Sequence, residues 1–109
     1  MPKYLIEASY TAEGLKGLQK DKASGRVAAI SKAIEALGGK LETMYYCLGE
    51  NDAIVIVEAP DIASLAALNI AVSSSGFART RTTALLTIEE TDKALAKSVA
   101  YKAPGKASK

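Results

Sequence analysis

The chain contains no histidine and a single cysteine, Cys47, so any chemistry it performs must rest on carboxylates, tyrosines, arginines, lysines or backbone groups. Ser-His-Asp and Cys-His nucleophilic mechanisms, histidine-rich metal sites and a histidine-ligated haem are excluded. One cysteine also excludes an internal disulfide framework and a cysteine-based structural zinc site within one chain. Two carboxylates then draw attention, Glu7 and Glu58, because each interrupts a largely apolar, strand-like run. Buried without partners, they could act as proton carriers. Alternatively, Glu7 pairs with Arg79 or Arg81 on a neighbouring strand and Glu58 pairs with Lys3. Arg79 and Arg81, two residues apart, share a strand face and could clamp an anion through bidentate contacts, or form rim salt bridges. Tyr45 and Tyr46 must face opposite sides of their strand; Tyr45 is the candidate to line a cleft and Tyr46 the candidate for the core. Cys47 reads as a small buried hydrophobe, since no histidine is present to activate it. The glycines form no phosphate-cradling pattern, and neither a metal nor a cofactor is expected.

The elements that must position these groups follow from periodicity. Tyr4 to Tyr10 alternates Tyr4, Ile6, Ala8, Tyr10 with Leu5, Glu7, Ser9, the period of a strand with one drier face. Thr11 to Gly14 reads as a short capped helical turn and Gln19 to Gly25 as a loop. Val27, Ile30, Ile34 and Leu37 then recur at helical spacing from Arg26 until Gly38-Gly39 stops the helix. Lys40 to Leu48 and Ala53 to Glu58 read as antiparallel strands joined by a tight turn. A second helix carries Ile62, Leu65, Leu68, Asn69 and Val72, and a fourth strand covers Ala78 to Leu86. Thr87 with Glu90 matches a capping box, which predicts a third helix from Ile88 to about Val99. The expected domain is residues 1–101, followed by a disordered basic tail, residues 102–109.

The order β-α-β-β-α-β with a terminal helix is an α+β, ferredoxin-like arrangement: an antiparallel sheet with both main helices on one face. A two-residue loop at Glu50-Asn51, with positive φ at one of them, would oppose Leu48 to Ala53, Cys47 to Ile54 and Tyr45 to Ile56. The sheet face turned away from the helices would then collect Leu5, Glu7, Ser9, Thr43, Tyr45, Cys47, Ile54, Ile56 and Glu58, with Arg79, Arg81, Thr83 and Leu85 from the fourth strand. That face is too apolar for water and too polar for a dry core. It predicts a homodimer or higher assembly that retains a cleft between the sheets.

Composition agrees with one small domain: 109 residues, 49% hydrophobic, with one phenylalanine, no tryptophan and five tyrosines. The core must therefore be light and alanine-rich. Five of the 14 basic residues are lysines of residues 93–109, where no acid occurs, leaving 9 basic against 12 acidic, a net of −3, for residues 1–92. A mildly acidic body with a lysine tail is not a nucleic-acid-binding surface. No apolar stretch of about 18 residues that could span a bilayer and no leader-like run occur, which leads us to expect a soluble cytoplasmic protein and no membrane partner.

Leu48 to Asp61 resembles the GYD family, in which a Gly-x-Tyr-Asp turn leads into an aliphatic strand and a Glu-Ala-Pro-Asp exit. Gly49, Asp52, Glu58, Ala59, Pro60 and Asp61 match, and Asn51 stands at the tyrosine position. Asp52 itself reads as a turn stabiliser. The resemblance spans roughly residues 3–98 and implies a small bacterial-type domain of the dimeric α/β-barrel superfamily. That superfamily includes cofactor-free oxygenases, isomerases, haem-binding proteins and ligand-sensing modules. The leading expectation is a homo-oligomeric small-molecule-binding protein with a small anionic or aromatic ligand near Ser9, Tyr45, Arg79 and Arg81. One alternative is a cofactor-independent oxygenase or isomerase acting on a small organic acid, with Glu7 as base and Arg81 as clamp. Another is a structural interaction module.

Overall fold

A computed structural model describes residues 1–105 of the chain. Its elements are β1 (Lys3–Tyr10), α1 (Ala12–Ala36), β2 (Lys40–Tyr46), β3 (Ala53–Glu58), α2 (Ile62–Ser74), β4 (Ala78–Leu85) and α3 (Ile88–Leu95). The strands form one antiparallel sheet in the order β2-β3-β1-β4. Tyr4 and Ile6 of β1 and Val55 and Val57 of β3 are buried, alternating with half-buried residues on the opposite face. Ile34 of α1 and Leu65 of α2 pack on that buried set, so both helices cover the same side of the sheet. This is the ferredoxin-like α+β arrangement expected from the element order.

Each helix begins where a side chain satisfies its free amides. Thr11, Asp61 and Thr87 accept from the backbone N–H of Gly14, Ser64 and Glu90 respectively, and Glu90 completes the capping box at α3. Gly14 is required for a second reason. A Cβ there would collide with the carbonyl of Phe77, which also accepts from the Thr11 N–H at 3.0 Å, so only glycine lets α1 start this close to the approach of β4.

Three local expectations are corrected. The segment Gln19 to Gly25, read as a loop, is helical apart from one residue: Lys22 has φ 69 and ψ 163, and helical turns run on either side of it. The turn between β2 and β3 is longer than two residues. Tyr46 opposes Ala53 and Tyr45 opposes Ile54, a register two residues from the expected one, and Cys47 closes the loop by donating to the Asp52 carbonyl at 2.8 Å. Positive φ falls on Gly49 (φ 128), while neither Glu50 nor Asn51 adopts it. Because the slip is an even number of residues, the expected faces are kept. An irregularity between Leu41 and Thr43 leaves Glu42 as an extra residue and brings Leu41 opposite Val57, against the core.

After β4 the chain leaves the body. Leu86, Ile88, Leu95, Val99 and Tyr101 are all exposed, and α3 buries no residue. The radius of gyration is 17.8 Å and the extents are 61 × 30 × 23 Å, whereas a compact chain of this length has a radius near ~13 Å. The third helix ends at Leu95, short of Val99. Of the tail expected to be disordered, residues 102–105 carry no helix or strand and residues 106–109 lie outside the described residues.

Candidate functional site

The sheet places Glu7, Ser9, Tyr45, Glu58, Arg79 and Arg81 on its outer face. Arg81 lies opposite Glu7 and Arg79 opposite Ser9 across the β1/β4 pair; Ile54 lies opposite both Glu7 and Tyr45. The side-chain contacts differ from the simplest pairing. Glu7 Oε2 accepts from Asn51 Nδ2 at 2.7 Å, and Arg81 lies 3.7 Å from Glu50, with both of those groups largely exposed. Lys3 reaches Glu42, displaced by the bulge, at 3.0 Å instead of Glu58. That contact raises the Lys3 ammonium above its ordinary value, chiefly through the hydrogen bond and then through charge. Ser9 Oγ donates to the Glu50 carbonyl at 3.4 Å. Of the motif residues, Asn51 and Asp52 brace this end of the sheet, while Gly49 supplies the positive φ of the loop. Asp52 Oδ2 accepts from the Tyr10 N–H at 2.7 Å, and the Asp52 N–H donates to the Ala8 carbonyl at 2.8 Å.

A cavity lies on the other side of the sheet. It has a volume of about 370 Å³ and sits between the inner sheet face, α1 and α2. Ile6, Ala8, Val55 and Thr80 form its floor; Leu18 and Ile30 of α1 face Leu68, Asn69 and Val72 of α2. Towards solvent the wall is completed by Tyr10, Phe77, Asp21 and Arg26, the last two paired at 3.7 Å. Beyond the cavity wall, Tyr46 of β2 donates from its hydroxyl to the Ala23 carbonyl of α1 at 3.3 Å. Burial, and after it the neighbouring Tyr10, pushes the Tyr46 phenol above its ordinary value. None of the outer-face candidates lines this space.

The cavity follows from small side chains. Gly14, Gly17, Ala29 and Ala33 of α1 face it, as do Ala8 and Ala78 of the sheet, so the helix and the sheet meet without filling the volume between them. The break at Lys22 divides the α1 wall into a segment bearing Leu18 and Asp21 and a segment bearing Arg26 and Ile30. Asn69 donates from Nδ2 to Thr82 Oγ1 at 2.6 Å, while its Oδ1 is buried without a partner. Sequence reasoning placed Asn69 on the helix face towards the sheet but gave it no role. The usable signal was the excess of alanine and glycine at inward positions in a chain lacking tryptophan.

Among the described residues, no group of three or more His, Cys, Asp or Glu side chains could hold a metal ion. Nor is any helix there long and apolar enough to cross a membrane.

The class is therefore a ferredoxin-like α+β domain with an apolar cavity under its helices. Its fold is shared with MtbAldR, at 15% identity and TM-score 0.52, with 94% of this chain covered but only 58% of that one. TTHA0845 from Thermus thermophilus also aligns, at 20% identity and TM-score 0.49, over 80% of this chain and 95% of that one. The GYD domain signature matches residues 4–95, and the chain belongs to the GYD family. No curated protein matches it.

Proposed function

We propose that the protein is a cytoplasmic small-molecule-binding domain that works as an assembly of its own copies, with the ligand held in the cavity between the sheet and its two main helices. The observation that carries this reading is the cavity itself. Its volume lies in the range of small-molecule sites, its walls are mostly apolar, and its few polar groups come from both the helices and the sheet. The expected location near Ser9, Tyr45, Arg79 and Arg81 moves accordingly to the opposite face of the sheet.

Binding is favoured over proton-transfer chemistry by where the carboxylates lie. Asp21, the one carboxylate on the cavity wall among the described residues, lies 3.7 Å from Arg26, while Glu7 and Glu58 are on the far face. Self-association is supported by a different surface. Leu5, Tyr45, Ile54, Ile56 and Leu85 share the outer face, and Leu86, Ile88, Leu95, Val99 and Tyr101 of the C-terminal arm stay largely exposed among the described residues.

Thermal melts against a panel of small compounds, on wild type and on Ala33→Leu, test the binding reading. Ala33 lies on the cavity wall, so leucine there fills the space without disturbing the outer face. A genuine ligand should stabilise wild type, by ~2.7 kcal/mol at a hundred times its Kd, and leave the filled variant unmoved. Equal stabilisation of both proteins would place the ligand elsewhere.

A further inference from the structure

Resting on the self-association proposed above, we infer that the chain assembles as a reciprocal dimer in which the C-terminal arm of each copy, Leu86 to Tyr101, lies across the outer sheet face of the other. The arm has the make-up of a packing element. Ile88 and Leu95, seven residues apart, share one face of α3, and the Glu89–Lys93 pair, at 3.5 Å, lies round the helix from them. Thr87 and Glu90 cap its start through bonds of 2.9 and 3.0 Å. Yet α3 is eight residues long and buries none of them, and isolated helices shorter than about 12–15 residues are marginal in water. Its apolar residues run from 68% exposed at Leu86 to 81% at Ile88, with Leu95, Val99 and Tyr101 between. Such a helix needs a surface to lie on.

Leu86 alone separates β4 from the cap residue Thr87, and from that short link the arm runs out from the body, along a molecule 61 Å long and 30 × 23 Å across. That course carries its apolar face away from its own sheet and within reach of a second copy. The surface that fits it is the outer sheet face, where Leu5, Ile54, Ile56 and Leu85 come together with Tyr45, 65% exposed, on the edge strand β2; the inner face already lies under α1 and α2. Charge favours the same pairing. Residues 93–109 carry five lysines and no acid, against a net of −3 for residues 1–92. Among the described residues, Lys97 and Lys102 of the arm and Glu7 and Glu58 of the outer face are in no ion pair, since Lys3 reaches Glu42 and Arg81 reaches Glu50. An arm laid on the face of a second copy brings those ammonium groups towards those carboxylates. A two-fold axis makes the exchange reciprocal, so each face receives one arm and the assembly closes as a dimer.

Sedimentation equilibrium of the full chain tests this with two variants and their mixture. Ile88→Glu combined with Leu95→Glu places charge at positions exposed in the single copy, so the circular dichroism spectrum should be unchanged while the dimer dissociation constant rises about tenfold or more. Ile56→Glu blocks the receiving face. In the mixture a copy with an intact arm meets a copy with an intact face, so one of the two exchanged contacts is restored and the mixture should associate more tightly than either variant alone. Wild-type affinity in the arm variant would overturn the role of the arm and leave self-association through the sheet standing. Weakened association in both variants, with no recovery on mixing, would overturn the exchange. A wild type that stays monomeric removes the self-association on which the inference rests, and the inference with it. Should Ile56→Glu not fold, Tyr45→Glu, at an exposed position of the same face, takes its place in the mixture.

Discussion

Lys22 gives a test in which the sign of the effect, not only its size, decides. Its φ of 69 and ψ of 163 lie in a region populated almost only by glycine, where a side-chain-bearing residue costs on the order of 1–3 kcal/mol. Glycine at this position removes that strain but gains freedom in the unfolded chain, an opposing effect of roughly 0.5–1 kcal/mol. The net expectation for Lys22→Gly is a stabilisation of about 1 kcal/mol, a rise in Tm of roughly 4–8 °C for a chain of this size. If α1 were instead continuous through residue 22, the same substitution would put glycine inside a helix and cost about 1 kcal/mol. Lys22→Ala serves as the control. At a break it relieves nothing, and in a continuous helix it is neutral or slightly stabilising. Urea denaturation at constant m-value measures both variants. A destabilised Lys22→Gly would refute the break and, with it, the division of the α1 wall of the cavity into two segments.

Three other outcomes are expected. Asp52→Ala should lose about 2 kcal/mol by leaving the half-buried Tyr10 N–H without its charged acceptor, and Asp52→Asn should recover part of that; equal midpoints for Asp52→Ala and wild type in urea would show that the brace is unimportant. Ile56→Glu on the outer face should turn the assembly into monomers, and sedimentation of wild type as a monomer at tens of micromolar, about the range where stable homo-oligomers persist, would contradict the interface. Asp61 and Glu90 are held below their ordinary carboxylate values, first by hydrogen bonds from the backbone of Ser64 and Thr87 respectively. With folded values depressed, their capping contributions are present above the ordinary carboxylate range and fade as pH falls through the lowered values, so an Asp61→Asn, Glu90→Gln variant should lose less stability on acidification than wild type. Parallel acid curves for the two proteins would contradict that.

Periodicity made the sheet and the two main helices legible, because one drier face on each strand and a stripe on each helix leave few ways to close a core. The capping residues Thr11, Asp61 and Thr87 likewise announce their helices in the sequence. The GYD-like turn was legible as a turn but not in its length, since Gly49 rather than Asn51 takes the positive φ and the loop extends from Cys47 to Asp52. The Lys20-Asp21-Lys22 run and Gly25 suggested a loop, yet flanking helix formers and packing of Ile30 and Ile34 confine the irregularity to one residue. Local composition records propensity, and tertiary packing overrode it here. The cavity was the least legible feature. Unfilled volume is a property of three elements meeting, and no single run of residues encodes it; nothing in the sequence marks Ala8, Ala29 and Ala33 as bordering a space until the helices are placed. For the same reason attention went to charged residues on the outer face, where chemistry-bearing side chains stand out in a sequence whether or not they enclose any space.

The most direct test of the central claim is a methyl-resolved NMR titration of the full chain with the compound that most stabilises wild type in the thermal melts. Binding in the cavity predicts saturable shifts confined to Ile6, Ile30, Leu68 and Val72, with Leu5, Ile54 and Ile56 of the outer face unmoved. Saturable shifts at Leu5, Ile54 and Ile56 with the cavity methyls unchanged would contradict it and return the site to the opposite side of the sheet.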